Sequence, residues 1–190
     1  MITQAFKFPN KGHEDYCESF VSEMNKQANK LRLKNCKFSN PHGLQMKANH
    51  ASAKDIICLM YHATKYKLLR EICGKKTHKC KVYTHDLTPK DFVWTNTNKL
   101  INDFFIASKT GITPSAGPCL VSFFKLGGYQ SIGVLIDSKT EKVRWREMAA
   151  ILLWQLNRFL KINKICAYSR STYEKFKKIK EVEREQRMAE

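Results

Sequence analysis

The chain has 190 residues, 43% hydrophobic and 11% aromatic, which is enough apolar material for one domain with a buried core. Its 34 Lys and Arg against 17 Asp and Glu give a formal net charge of +17, which excludes an acidic, self-solvating chain and attracts polyanions without sequence preference. No apolar run reaches the roughly eighteen residues of a membrane span.

The basic residues are scattered and no nucleic-acid motif accompanies them, so a solvated lysine-rich surface accounts for the charge. The opening MITQAFKFPNKGHED has no apolar core of a secretory signal. As it stands the chain therefore reads as intracellular, and an exported role would need preceding sequence. The seven cysteines, at 17, 36, 58, 73, 80, 119 and 166, are odd in number and form no Cys-x-x-Cys. Cys73, His78 and Cys80 lack a standard zinc spacing. Reduced, mostly buried thiols are expected, with no metal and no cofactor.

Residues 1–14 contain Pro9, Asn10 and Gly12 without periodicity and read as irregular. From Asp15 a helix places Cys17, Phe20, Val21, Met24, Ala28 and Leu31 on one face. Asn40-Pro41-His42-Gly43 marks a turn-rich loop. Ser52-Ala-Lys-Asp55 opens a second helix with the stripe Ile56, Met60, Ala63 and Leu68. Residues 73–97 read as short extended pieces, with strands at 81–84 and 92–95. Three stronger strands follow at Ile106–Thr113, Pro118–Phe124 and Gln130–Ile136, the last two joined through Gly127-Gly128. Ser138-x-x-Glu141 caps a helix with Trp145, Ala149, Leu152, Leu156 and Phe159 on one side, suited to covering a sheet. After Lys161 the composition turns charged, and 172–189 reads as an exposed helix.

Lys109-Thr110-Gly111 lies within the first of the three strands, and an ordered set of further matches surrounds it. These are Phe20-Val-x-x-Met24-Asn25, Phe38-x-Asn40-Pro41-His42-Gly43-Leu44, Ser52-Ala53-x-Asp55, Asn96-Thr97-Asn98-x-Leu100, and Ala116-Gly117-x-Cys119-Leu120-Val121. In that order they resemble the serine-type D-Ala-D-Ala carboxypeptidases, the low-molecular-mass penicillin-binding proteins, over residues 17 to 160. The resemblance implies an α+β fold of the β-lactamase/transpeptidase type, present in part, with an antiparallel sheet covered by helices. With the composition and periodicity of its flanks, the chain then divides into an irregular 1–14, a partial domain 15–160 and a charged helical tail 161–190.

The substrate implied is a peptide ending in D-Ala-D-Ala. Lys109 would set an ammonium beside its terminal carboxylate, and the Thr110 hydroxyl would hydrogen-bond it. Gly111 would let the peptide backbone approach the strand edge. Thr113 closes the motif, and His42 belongs to a loop near the site in relatives, although an imidazole that stabilises the turn is an equal reading. The family's nucleophile comes from Ser-x-x-Lys and its proton network from Ser-x-Asn. The second motif would fall about nineteen residues before Phe20, at Met1, and no Ser-x-Asn occurs in the sequence. The one Ser-x-x-Lys, Ser122 to Lys125, lies in a strand, where residues three apart point to opposite faces.

No catalytic residue is therefore assigned. Either these residues are part of a longer or split enzyme, or they form a non-catalytic scaffold or binding subunit derived from it. A basic nucleic-acid or anion-binding protein is the third reading. A second polypeptide completing the domain and non-specific polyanions are the further partners expected.

Overall fold

The computed structural model describes residues 13–44, 48–100, 105–126 and 129–162, together with 181, 184 and 188. Helix α1 spans His13–Lys30. It starts two residues before the point where the periodicity becomes legible, so the irregular segment expected for 1–14 ends earlier; residues 1–12 lie outside the described residues. Ala28 is buried on its inner face, while Cys17, Phe20, Val21, Met24 and Leu31 are half-buried. Asn25 fastens the following loop to this helix: its Nδ2 donates to Phe38 O at 2.8 Å, and Phe38 N donates back to its Oδ1 at 2.9 Å.

Helix α2 spans Ala53–Ala63, with Ser52 as N-cap accepting from Asp55 N. Asp55 is buried, and its carboxylate accepts from Asn35 N at 3.0 Å and Ser52 Oγ at 2.8 Å. One carboxylate thus joins the cap to the incoming loop. The expected stripe fails at Leu68. The helix stops at Thr64, whose hydroxyl turns back to Tyr61 O, and a separate helix α3, Lys67–Gly74, leaves Leu68 67% exposed.

Strands β1, Thr77–Tyr83, and β2, Pro89–Thr95, form an antiparallel hairpin, longer than the extended pieces expected there. Strands β3, Phe105–Thr113, β4, Gly117–Leu126, and β5, Tyr129–Leu135, form a second antiparallel sheet in the order β3-β4-β5. These are the three strands read from the sequence, each shifted by a residue or two. The β3–β4 turn needs Gly117 at φ +59°, a backbone conformation that side-chain-bearing residues avoid.

Helix α4, Glu141–Ile162, covers one face of this sheet. Phe105, Leu120 and Phe124 of the sheet pack with Trp145, Met148, Leu152 and Leu156 of the helix, and Leu100 joins them. Fully burying each such side chain contributes about 1.5–3 kcal/mol. The cap of α4 is not Ser138. That hydroxyl is buried without a hydrogen-bond partner among the described residues, and its backbone N–H is taken by Pro118 O at 3.0 Å. Thr140 caps instead, its Oγ1 accepting from Val143 N at 3.1 Å. Met60, from α2, packs on the opposite face with Ala107, Phe123 and Cys73. Glu181, Arg184 and Met188 are helical and exposed, and the rest of the expected tail helix lies outside the described residues.

Candidate functional site

Within the three-stranded sheet β3 is an outer strand, and among the described residues no strand pairs with its far edge. Lys109 pairs with Val121 and Gly111 with Cys119 across the inner edge, so the motif stays in regular register. Residues alternate faces along a strand. Ser108 is buried and its hydroxyl donates to that of buried Ser122 at 2.9 Å. Lys109, on the face that carries Ala107, is exposed, and its Nζ donates to the Thr110 carbonyl. The Thr110 hydroxyl lies 3.1 Å from that of Thr97, just beyond the hairpin. Thr97 is thus a polar contact of the motif that the sequence reading had placed only as part of a matching segment.

A groove of about 280 Å³ runs over this strand, lined by Lys109, Thr110, Gly111, Ala116 and Cys119, with Ala51 and Ile56 from the second helix region. Gly111 is informative here. A Cβ built on it meets nothing within 4 Å, and it is not among the glycines at positive φ. Neither packing against the described residues nor backbone conformation demands glycine at 111.

Thr113 has a different place. Its hydroxyl accepts from Ala116 N at 3.2 Å, and its carbonyl accepts from the same N–H at 3.2 Å, which commits the side chain to the β3–β4 turn. His42 is apart from the strand motif. It lines a second groove of about 420 Å³ with Cys17, Val21, Asn25 and Asn40. Its Nδ1 accepts from Leu44 N at 3.1 Å, the contact of a turn-stabilising imidazole. The structure therefore groups Lys109, Thr110 and Gly111 and leaves His42 in a separate groove.

Two cations shape the electrostatics. Lys109 acts on Cys73: burial pushes this thiol above the ordinary value, and the lysine charge partly offsets the rise. Arg144, not singled out in the sequence, is 3% exposed, and its Nη1 donates to the Cys119 carbonyl at 3.3 Å, behind the groove. Its counter-ion Glu141 lies at 3.7 Å and is largely exposed, and its Nε has no partner among the described residues. Burial of a guanidinium with an incomplete set of partners leaves positive potential on this side of β4. Its one sequence signal was a position in the first turn of an amphipathic helix, which does not distinguish it from a solvated arginine. Among the described residues no group of three or more His, Cys, Asp or Glu is placed to hold a metal.

Residues 15–140 match the family described as D-alanyl-D-alanine carboxypeptidase. The chain is 34% identical over 137 residues to the D-alanyl-D-alanine carboxypeptidase DacF of Bacillus subtilis, which covers 71% of this chain and 34% of that protein. It is 31% identical over 140 residues to DacC of Escherichia coli, covering 72% and 33% respectively. The crystal structure of a Streptomyces DD-transpeptidase superposes with a TM-score of 0.68 at 28% identity, covering 72% of this chain and 53% of the other. A point mutant of that enzyme reaches 0.71 at 27% identity, covering 75% and 56%. The chain belongs to the D-alanyl-D-alanine carboxypeptidase family and has part of the DD-transpeptidase fold. It spans about a third of the length of these two curated relatives.

Proposed function

We propose that these residues form the carboxylate-recognition half of a D-Ala-D-Ala peptide site and carry no acylating residue of their own. Lys109 supplies the ammonium for the terminal carboxylate, and the Thr110 hydroxyl, from the opposite face of this outer strand, meets it at the strand edge, where both residues line one groove; the buried Arg144 charge behind the groove adds to the attraction. Charge-assisted hydrogen bonds of this kind contribute about 1.5–3 kcal/mol each. The β3 edge offers backbone groups for an added strand of peptide. Gly111 carries the reading: nothing among the described residues requires glycine there, and an unoccupied Cβ position on a strand edge suits close approach by a ligand backbone. Thr113 holds the turn that ends the strand, and His42 shapes the neighbouring loop.

A second observation favours recognition without acylation. Ser122, from the one Ser-x-x-Lys of the sequence, is fully buried and bonded to Ser108, whereas Lys125 is exposed. Titration of labelled protein with a D-Ala-D-Ala peptide tests both points by NMR. Shifts at residues 109–111 are expected at millimolar peptide, in line with about 4 kcal/mol of binding, and they should vanish for the amidated peptide and for Lys109→Ala. Wild-type shifts that survive amidation refute carboxylate recognition, and a stoichiometric covalent penicillin adduct refutes the absence of acylation.

A further inference from the structure

The β1–β2 hairpin stands outside the groove just described and leaves nearly every residue of its two strands exposed. Along both strands only Cys80 is better than exposed. Even so, it carries six large apolar side chains in contact with solvent: Val82, Tyr83, Leu87, Phe92, Val93 and Trp94. The register puts Cys80, Val82, Phe92 and Trp94 on one face and Tyr83 and Val93 on the other. Between 75 and 95 the chain has five lysines, at 75, 76, 79, 81 and 90, against Asp86 and Asp91.

An isolated two-stranded ladder is marginal in water, and exposed apolar patches of this kind mark interaction sites. A folded protein partner covers one face of such a ladder and leaves the other wet. The membrane–water interface differs, because it wets both faces with groups that accept apolar side chains and cations together. Trp and Tyr concentrate at that level, and lysines near an anionic surface are each attracted to it. A single-stranded nucleic acid fits less well. Phe92 and Trp94 stack on each other with centroids 5.5 Å apart, and the indole N–H is already directed at Cys80 Sγ at 3.3 Å. A base would have to displace that pairing to stack.

We propose that the β1–β2 hairpin is a docking element for an anionic lipid surface, lying at headgroup depth with Val82, Phe92 and Trp94 toward the acyl boundary and its lysines among the phosphates. Asp86 in the turn sets the depth. Hydrogen bonds from Thr84 and Thr88 hold its carboxyl below the ordinary value, so it stays ionised and keeps the turn out of the hydrocarbon. No helix among the described residues is long and apolar enough to cross a membrane.

The test uses the full 190-residue protein with vesicles of phosphatidylcholine alone or mixed equally with phosphatidylglycerol, carrying brominated acyl chains. Of the three tryptophans Trp145 is buried, and Trp154, 60% exposed on α4, is replaced in the W154F background so that Trp94 reports. Trp94 emission should be quenched on the mixed vesicles and not on phosphatidylcholine alone. Phe92→Ser and Tyr83→Ser should each weaken vesicle binding at least fivefold at constant net charge. Co-sedimentation without quenching would assign binding to the overall positive charge and overturn the proposal. So would unchanged affinity of both variants, or quenching by a single-stranded oligonucleotide in place of vesicles. The quenching readout needs no substitution in the hairpin, so it decides the matter even where a variant fails to fold.

Discussion

Replacing Gly133 by alanine tests how tightly α4 is seated on the sheet. Gly133 is buried in β5, and a Cβ built there lies 2.6 Å from Met148 Sδ and 3.5 Å from Leu152 Cδ2. Two effects oppose each other. Alanine in place of glycine inside a strand gains about 0.5–1 kcal/mol through reduced backbone freedom of the unfolded chain. Overpacking a filled core costs about 1–3 kcal/mol. Met148 is 0% exposed and closed in by Phe124, Trp145 and Leu152, so its thioether has little room to withdraw. The net expectation for Gly133→Ala is a loss of about 1–2 kcal/mol. Met148→Ala alone should cost about 2–5 kcal/mol by opening a cavity. In the double variant the new methyl occupies part of that cavity, so the alanine at 133 should become neutral or stabilising. A coupling of at least about 1 kcal/mol follows. Urea denaturation of the four proteins, analysed at common m, measures it. Additive losses, with coupling near zero, would refute the contact between Gly133 and Met148.

Gly111→Ala should leave stability unchanged or raise it slightly, because its Cβ enters open space, while D-Ala-D-Ala peptide binding followed by NMR weakens at least tenfold. A stability loss with intact binding would make this glycine structural. Asp55→Ala removes the acceptor shared by Asn35 N and Ser52 Oγ and should cost about 2–4 kcal/mol in urea melts. Lys109→Ala should push the Cys73 thiol further up, since burial already raises it and the lysine charge opposes that rise. The pH profile of Cys73 alkylation, read by mass spectrometry, should then move to higher pH, with slower reaction below the transition.

Legibility of this fold in the sequence follows the range of the interactions involved. The faces of α1 and α4 repeat over several turns, so Ala28, Trp145, Leu152 and Leu156 were readable as core. Strands β3 to β5 announced themselves by β-branched and aromatic runs between turn residues. Helix α3 did not, because eight residues give barely two turns of period, and its first residue lacks a side-chain cap. The start of α4 went to Ser138 because Ser-x-x-Glu is a capping pattern, but tertiary contact with Pro118 took that residue first. The site divides in the same way. Lys109, Thr110 and Gly111 are consecutive and were legible. Thr97 and Arg144 reach the motif through the fold, by a hydroxyl contact across thirteen residues and a carbonyl contact across twenty-five, and no local pattern encodes either.

On the proposed reading, the sheet accounts for recognition without acylation by these residues. The proposed recognition draws on an outer strand, where Lys109 is exposed, Gly111 leaves room and no strand among the described residues pairs with the far edge. Ser122 belongs to the middle strand, paired on both sides, with Ser108 and Gly133 as its register partners. Its hydroxyl accepts from Ser108 at the sheet face covered by α4, and exposing it would break a buried hydrogen bond at a cost of about 1–3 kcal/mol. Lys125 cannot serve it as a base, being three residues on, exposed, and on the opposite face. A nucleophile must reach both a base and the substrate carbonyl, and the middle of a covered sheet offers neither. The proposed carboxylate site requires only a cation, a hydroxyl and an accessible edge, and Lys109, Thr110 and the outer side of β3 line one groove that could supply them.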